Sequence, residues 1–425
     1  MLEMIKERLK QIQQGEIPAG YQYAHFYIYP EKWQICLFKD KFTRLTDKNP
    51  NNNQKILTIS AKQGLISQDE YYNHSYASED KSGYYLLHHG DYSYNKSYST
   101  DYPYGAIKRL KKYEKGIVSP LYICFKSKEG TISDYYLHYF EAGVFNREIY
   151  KIAQEGARNH GLLNVSVVEF FHSFILEPSN KEQQKIAEIL NCCDKVIEFK
   201  QQLVEEERNR KKWLMQNLFD PDSGVRLPGF EGEWKTFKLG RLCIVRGGGT
   251  PSTSKESYWK GNIPWISSTD VAEGDIYRIN PTRYITQEAV DNSATQICPK
   301  DSIIIVSRVG VGKLAIAPMS LCTSQDFTNL INIDGNTVFW ATLLQKAFAK
   351  IKMQVQGTSI KGITVKEIKS LELCLPTLEE QNAIADIIIV QDKKINLLEQ
   401  ELTQWQQKKK ALMRLLLTGI MRVSV

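Results

Sequence analysis

The 425-residue sequence predicts an α+β fold: two strand-rich globular parts separated by two long helices that pair antiparallel as a coiled coil, with an internal repeat of pseudo-two-fold character. Three observations predict it. First, Pro178–Leu218 matches Pro376–Leu416 without a gap, and 15 of the 41 positions are identical. Similarity held in one register over that length marks a duplicated unit. Second, no Gly or Pro interrupts 179–219, and apolar residues recur there at seven-residue spacing, the signature of a coiled-coil seam. Third, the remaining segments hold short β-branched runs bounded by turn residues.

In chain order, 1–15 is a helical segment, 16–177 the first globular part, 178–219 the central helix, 220–375 the second globular part and 376–425 the C-terminal helix. In the first part, Ile56–Ser60, Tyr92–Asn95 and Leu121–Phe125 read as strands and Asp134–Ala142 as a helix. The central helix begins after Ser179 or Asn180, either of which can cap it, and carries the seam Leu190, Ile197, Val204. About 38 residues at 1.5 Å rise give a rod of roughly 57 Å. Asp220–Gly224 is a turn-rich linker. In the second part Ile303–Val306, Leu314–Ala317 and Leu330–Ile333 are strands and Thr337–Ile351 a helix, before Thr377 caps a second rod with the seam Ile388, Ile395, Leu402. The repeat extends upstream more loosely. Glu31-Lys32-Trp33 resembles Glu233-Trp234, each leading to an apolar residue five positions after the Trp (Phe38, Leu239). Gly90-Asp91 resembles Lys300-Asp301, and Gly161–Val165 resembles Gly362–Val365.

Composition excludes several classes. There are 55 Lys plus Arg against 48 Asp plus Glu, a net charge of +7 that permits a polyanionic partner without demanding one. No run of about 18 apolar residues exists, so no membrane helix is expected, and the N-terminus lacks a signal-peptide core. The 8 Cys form no C-x-x-C pair and all 7 His precede residue 173. Neither a zinc site nor a disulfide scaffold is expected, and free thiols in a reducing cytoplasm are the simpler reading.

Catalytic motifs fail on inspection. Arg308-Val-Gly310-Val-Gly312-Lys313-Leu314 looks like a phosphate loop, but Ser307 and Leu314 stand where the first Gly and the Ser/Thr must be. A tight turn between two strands is the better reading. Pro221-Asp222 with Glu233-Trp-Lys235 fits a metal-dependent nuclease pattern, yet spans the linker. Asn280-Pro-Thr-Arg-Tyr lacks the second Pro of an adenine-methyltransferase loop, and Gly247–Pro251 reads as a flexible loop. No catalytic residue and no metal ligand is assigned.

Nucleic-acid contact is the stronger reading. Asn95, Lys96, Ser97, Tyr98, Ser99 and Tyr104, followed by Lys108 and Arg109, interleave amide, hydroxyl, aromatic and cationic groups. Such a set neutralises phosphates and reaches base edges. In the second half Trp265, Ser267, Ser268, Ser307, Arg308, Lys313, Gln325, Ser359 and Lys361 hold comparable places.

Two variable parts, each closed by Pro-…-Glu-Gln-…-Ile-Ala and a helix ending in Lys-Lys-…-Leu-Met, resemble the specificity subunit of type I restriction–modification enzymes. Leu227-Pro-Gly-Phe-Glu-Gly-Glu-Trp234, Gly248-Gly-Thr-Pro251 and Tyr258–Trp265 fit the same family. The resemblance implies a non-catalytic chain with two target recognition domains, each reading half of a split double-stranded DNA sequence. It implies helices that act as a ruler and dock two modification (methyltransferase) subunits, with restriction subunits added. S-adenosylmethionine, ATP and magnesium would then belong to those partners, and none to this chain. The alternatives are a self-contained nuclease using Asp222, Glu233 and Lys235, and a coiled-coil adaptor without DNA binding.

Overall fold

The computed structural model describes residues 2–49, 53–60, 63–72, 81–97, 102–155, 161–308, 310–354 and 362–424. The chain divides into two units: Met1–Lys200 with Glu401–Val425, and Gln201–Gln400. Each unit therefore owns a globular part and one stretch of each long helix. No helix among the described residues is long and apolar enough to cross a membrane.

The first unit is built on a four-stranded antiparallel sheet in the order Phe42–Leu45, Ile123–Ser127, Tyr92–Asn95, Ala106–Arg109. The second repeats that order with Ile244–Gly247, Phe327–Ile331, Ile303–Val306 and Leu314–Ile316. Each sheet is joined by a two-stranded ladder, Gln34–Leu37 with Phe174–Glu177 and Lys235–Lys238 with Glu372–Leu375. In each, the residue after the ladder's first strand is fully buried, Phe38 and Leu239. Its amide donates to Ser173 in one unit and Leu371 in the other. The turn before the third strand is also shared. Gly90 and Asp301 both have positive φ, 92° and 66°, and their amides bond Leu110 and Ala317, each just past the fourth strand.

The shared topology is packed with different side chains. In the first unit Phe38, Phe42, Tyr92, Phe125, Phe140 and Phe170 interlock edge-to-face and stacked. In the second, Ile303, Ile305, Leu330, Leu344 and Ile368 surround Phe339 and Trp340. Each fully buried large apolar side chain contributes roughly 1.5–3 kcal/mol, so both fillings support the same frame. The second unit adds another sheet, Arg283–Ile285, Ile263–Ile266, Leu321–Thr323 and Ile297–Cys298, with one parallel pairing at its centre.

The long helices span Asn180–Asn217 and Leu378–Leu417. Ser179 and Thr377 cap them through their hydroxyls, to the amides of Glu182 and Glu380. In the first unit Asp194 pairs with Lys409 and Lys200 with Glu401. In the second Arg208 pairs with Glu399 and Lys211 with Asp392. Within each unit the partner number falls as the first helix advances, so the helices run antiparallel. Leu190 and Val204 are buried on one helix, Ile388 and Ile395 on the other, whereas Leu203, one position before Val204, is 37% exposed.

The Glu-Gln pair that signals the repeat has a structural role in both copies. Gln183 and Gln381 each donate a side-chain N–H to the proline carbonyl five residues earlier, Pro178 and Pro376. Glu182 and Glu380, buried to 2% and 1% exposure, each accept two bonds from one arginine, Arg422 and Arg226.

Candidate nucleic-acid interface

In the second unit, strand register brings most of the sequence-derived residues to one sheet edge. Gly247 is level with Thr328, Val306 with Phe327, and Ile266 with Thr323. The segments just beyond those positions, 248–250, 267–268, 307–308 and 324–326, therefore emerge side by side. The Gly-rich segment is not the flexible loop that its composition suggests. Gly248 and Gly249 donate their amides to Phe327 and Thr323. A Cβ on Gly248 would lie 2.0 Å from the Ser324 carbonyl oxygen, and one on Gly249 would lie 2.4 Å from the Ala294–Thr295 peptide. These glycines permit close backbone approach.

At that edge Arg308 and Gln325 are exposed and Lys313, Ser267 and Ser268 half-buried. The Thr250 hydroxyl donates to the Gln325 amide oxygen. Strands Ile303–Val306 and Leu314–Ile316 pair as an antiparallel hairpin whose open end carries Arg308 and Lys313. Gly310 and Gly312 are both at φ 86°, and Val306 and Lys313 are bonded to each other. Two expectations need correction here. Trp265 is 2% exposed, with its indole N–H on the Gly249 carbonyl at 2.9 Å; it is a core residue that no base reaches. Ser307 is buried, its hydroxyl on the Asp326 carbonyl, and it shapes the edge from beneath.

In the first unit the equivalent edge follows Asn95. Lys96 accepts the Leu163 amide at 3.0 Å, as Ser307 accepts that of Ile363 at 2.8 Å. Asn95 and Lys96 are half-buried and Ser97 is exposed. The Asn95 side-chain oxygen accepts the Ser97 amide, which fixes the first turn of the segment. Tyr104 is half-buried, and its carbonyl takes the Tyr94 hydroxyl. Tyr98, Ser99, Ser359 and Lys361 lie outside the described residues.

Lys108 and Arg109 also require correction. Lys108 is buried and donates to Glu141 at 2.7 Å. Arg109 donates to Asp134 at 2.7 Å and to Ser133. Both cations tie their strand to helix Ser133–Glu141 and are engaged there rather than presented at the edge. Asp134 also accepts Asn191 of the long helix, which in turn bonds the buried His138 at 2.9 Å. Burial first, then the neighbouring positive charges of Lys409 and Lys111, pull His138 below its ordinary value against the Asn191 bond and the Asp194 charge.

Asp222, Glu233 and Lys235 are all exposed around the linker. No group of three or more His, Cys, Asp or Glu among the described residues could hold a metal ion. Burial pushes the thiols of Cys124 and Cys298 up to about 12 and Cys322 to about 11, so they stay protonated and unreactive.

Sequence reasoning missed Thr250 and Arg283. Arg283 carries no local signal, and only strand register places it beside Trp265; Thr250 lies within the Gly248–Pro251 motif, but its bond to Gln325 is visible only in the fold.

Comparison with known proteins places the chain. The family described as "Type I restriction modification DNA specificity domain" matches residues 231–406. The type I restriction enzyme MjaIX specificity subunit of Methanocaldococcus jannaschii is 36% identical over 163 residues, 37% of each chain, so that alignment spans just over a third of the relative's length. The putative type I restriction enzyme MjaX specificity subunit of the same organism is 30% identical over 318 residues, 71% of each chain. Among solved structures, the S subunit of a type I restriction–modification system from M. genitalium has the same fold, with a TM-score of 0.54 at 14% identity over 92% of this chain and 97% of that one. With a relative matched over more than two thirds of both chains and a fold shared along nearly the whole length, the chain belongs to the specificity subunits of type I restriction enzymes, a non-catalytic family.

Proposed function

We propose that this chain chooses the DNA target of a type I restriction–modification complex. Each unit reads one half of a split double-stranded sequence, through the sheet edge that carries Asn95–Ser97 in one and Thr250, Ser267–Ser268, Arg308, Lys313 and Gln325 in the other. The observation that carries this reading is the repeated frame with divergent fillings and divergent edges. A common scaffold supports two unlike readers, as a split, asymmetric target requires. Amide, hydroxyl and guanidinium groups suit base edges, and the cations suit phosphates.

The long helices act as the spacer between half-sites, and two like units offer two like surfaces to two modification subunits. Restriction subunits complete the assembly. S-adenosylmethionine, ATP and magnesium act in those partners in the cytoplasm.

The test is to express the chain with its modification subunit and map methylated adenines across the host genome. A single split motif is expected, and the chain alone leaves DNA unmodified. If the first globular part, from about residue 20 to the start of the first long helix, is replaced by that of another family member, one half of the motif changes. A change in both halves contradicts one-reader-per-half, and methylation by the chain alone rejects the assignment.

A further inference from the structure

Arg283 begins the edge strand Arg283–Ile285, and register sets it opposite Trp265. Its guanidinium lies 4.3 Å from the Trp265 ring centroid and 5.9 Å from that of Trp259. The side chain is exposed, and no ion pair of the described residues includes it. The indole beneath is fixed twice, by burial to 2% exposure and by its N–H bond to the Gly249 carbonyl. The strand's entry is fixed as well, because Thr282 donates its hydroxyl to Asp270 at 3.0 Å, and Asp270 also accepts the Ser267 amide at 2.7 Å.

The location matters as much as the geometry. Arg283, Trp265 and Cys322 are level across three adjacent strands, and Ser267 and Ser324 follow within two residues of that level. A continuous chain of contacts runs from Arg283 to the Trp265 ring, then to Gly249, Thr250 and Gln325. An arginine resting on an immobilised indole has less side-chain freedom to lose when it meets a ligand, yet its planar fork of N–H donors stays available.

Resting on the DNA-reading role proposed above, we infer that Arg283 is a DNA-contact residue presenting its guanidinium to a paired-acceptor edge, and that Trp265 is its positioning residue. Two parts of duplex DNA offer such an edge: the N7 and O6 of a guanine, and two oxygens of one phosphate.

The experiment uses the assembled modification complex carrying the full chain. Its methylated motif is mapped, and binding is measured at several salt concentrations on duplexes bearing that motif or single-base variants of it. With Arg283→Ala, a guanine contact makes one position of one half-site degenerate, discrimination there falling about 10- to 100-fold. A phosphate contact instead weakens binding to every duplex alike and lowers the salt slope by about one. Trp265→Phe, whose folding is checked by its melting temperature, gives a smaller version of the same loss and adds nothing further in the Arg283→Ala background.

An unchanged motif, affinity and salt slope in Arg283→Ala, with a defined motif for the parent complex, overturns the assignment of Arg283 and leaves the DNA-reading role standing. Full additivity of the two substitutions overturns the positioning role of Trp265. A parent complex with no defined motif overturns the DNA-reading role itself, and this inference with it.

Discussion

Glu182 and Glu380 are buried in the first turns of the two long helices, and each is clasped by an arginine that follows the other helix. A buried carboxylate is costly unless paired and hydrogen-bonded. Glu182 is fully provided for, since the Trp33 indole N–H also donates to it at 2.9 Å. His138 is provided for on one side only: its Nε2 bonds Asn191, whereas its Nδ1 is buried with no hydrogen-bond partner and the Asp194 carboxylate 3.9 Å away. Held below its ordinary value of 6.5, chiefly by burial, it takes up a proton less readily in the fold than in the unfolded chain. Its contribution to stability is therefore complete above that ordinary value and is lost as pH falls through the lower folded value. The urea midpoint is expected to be lower at about pH 5.5 than at about pH 7.5, with a smaller drop in His138→Gln. Equal drops in both proteins would show that another group governs the acid limb.

At the scale of elements, the long helices were legible in sequence because Gly and Pro are absent and a seven-residue apolar period persists. Strands Tyr92–Asn95 and Ile303–Val306 were legible because continuous apolar or aromatic runs stand between turn residues. The common strand order of the two sheets was not legible, because an aromatic core fills one and an aliphatic core the other. Of the candidate site, the exposed turn residues were recognisable by type. Lys108 and Arg109 were misjudged because their partners Glu141 and Asp134 lie 33 and 25 residues away, on a helix whose facing only the fold determines. Composition was equally silent on Gly248, whose neighbours within reach of a Cβ include the Ser324 backbone. That backbone has nowhere to move without shifting the edge. Gly248→Ala is expected to cost roughly 2 kcal/mol by overpacking, seen as a lower melting temperature, together with weaker target binding. A variant with parental stability and affinity would mean that the segment yields freely.

For the whole molecule, the spacer reading predicts a metric response. Inserting one heptad at matched positions of both long helices keeps the seam in phase. It adds about 10 Å of helix, roughly three base pairs of duplex. The mapped motif should keep both half-sites and gain non-specific positions between them. An unchanged spacing would dissociate helix length from target spacing.

The clasp of Arg422 on Glu182 bridges 240 residues. Unit two is one continuous stretch, Gln201–Gln400, whereas unit one needs Glu401–Val425 to be complete. The ribosome thus delivers the pieces out of order: the globular part made first is the last to be closed. At roughly 5–20 residues per second, Glu182 waits about 10–50 s for its arginine. During that interval the nascent first unit is open on the side where Met413, Leu416 and Leu417 will complete its core, so its apolar surface stays in water until the last residues of the chain arrive.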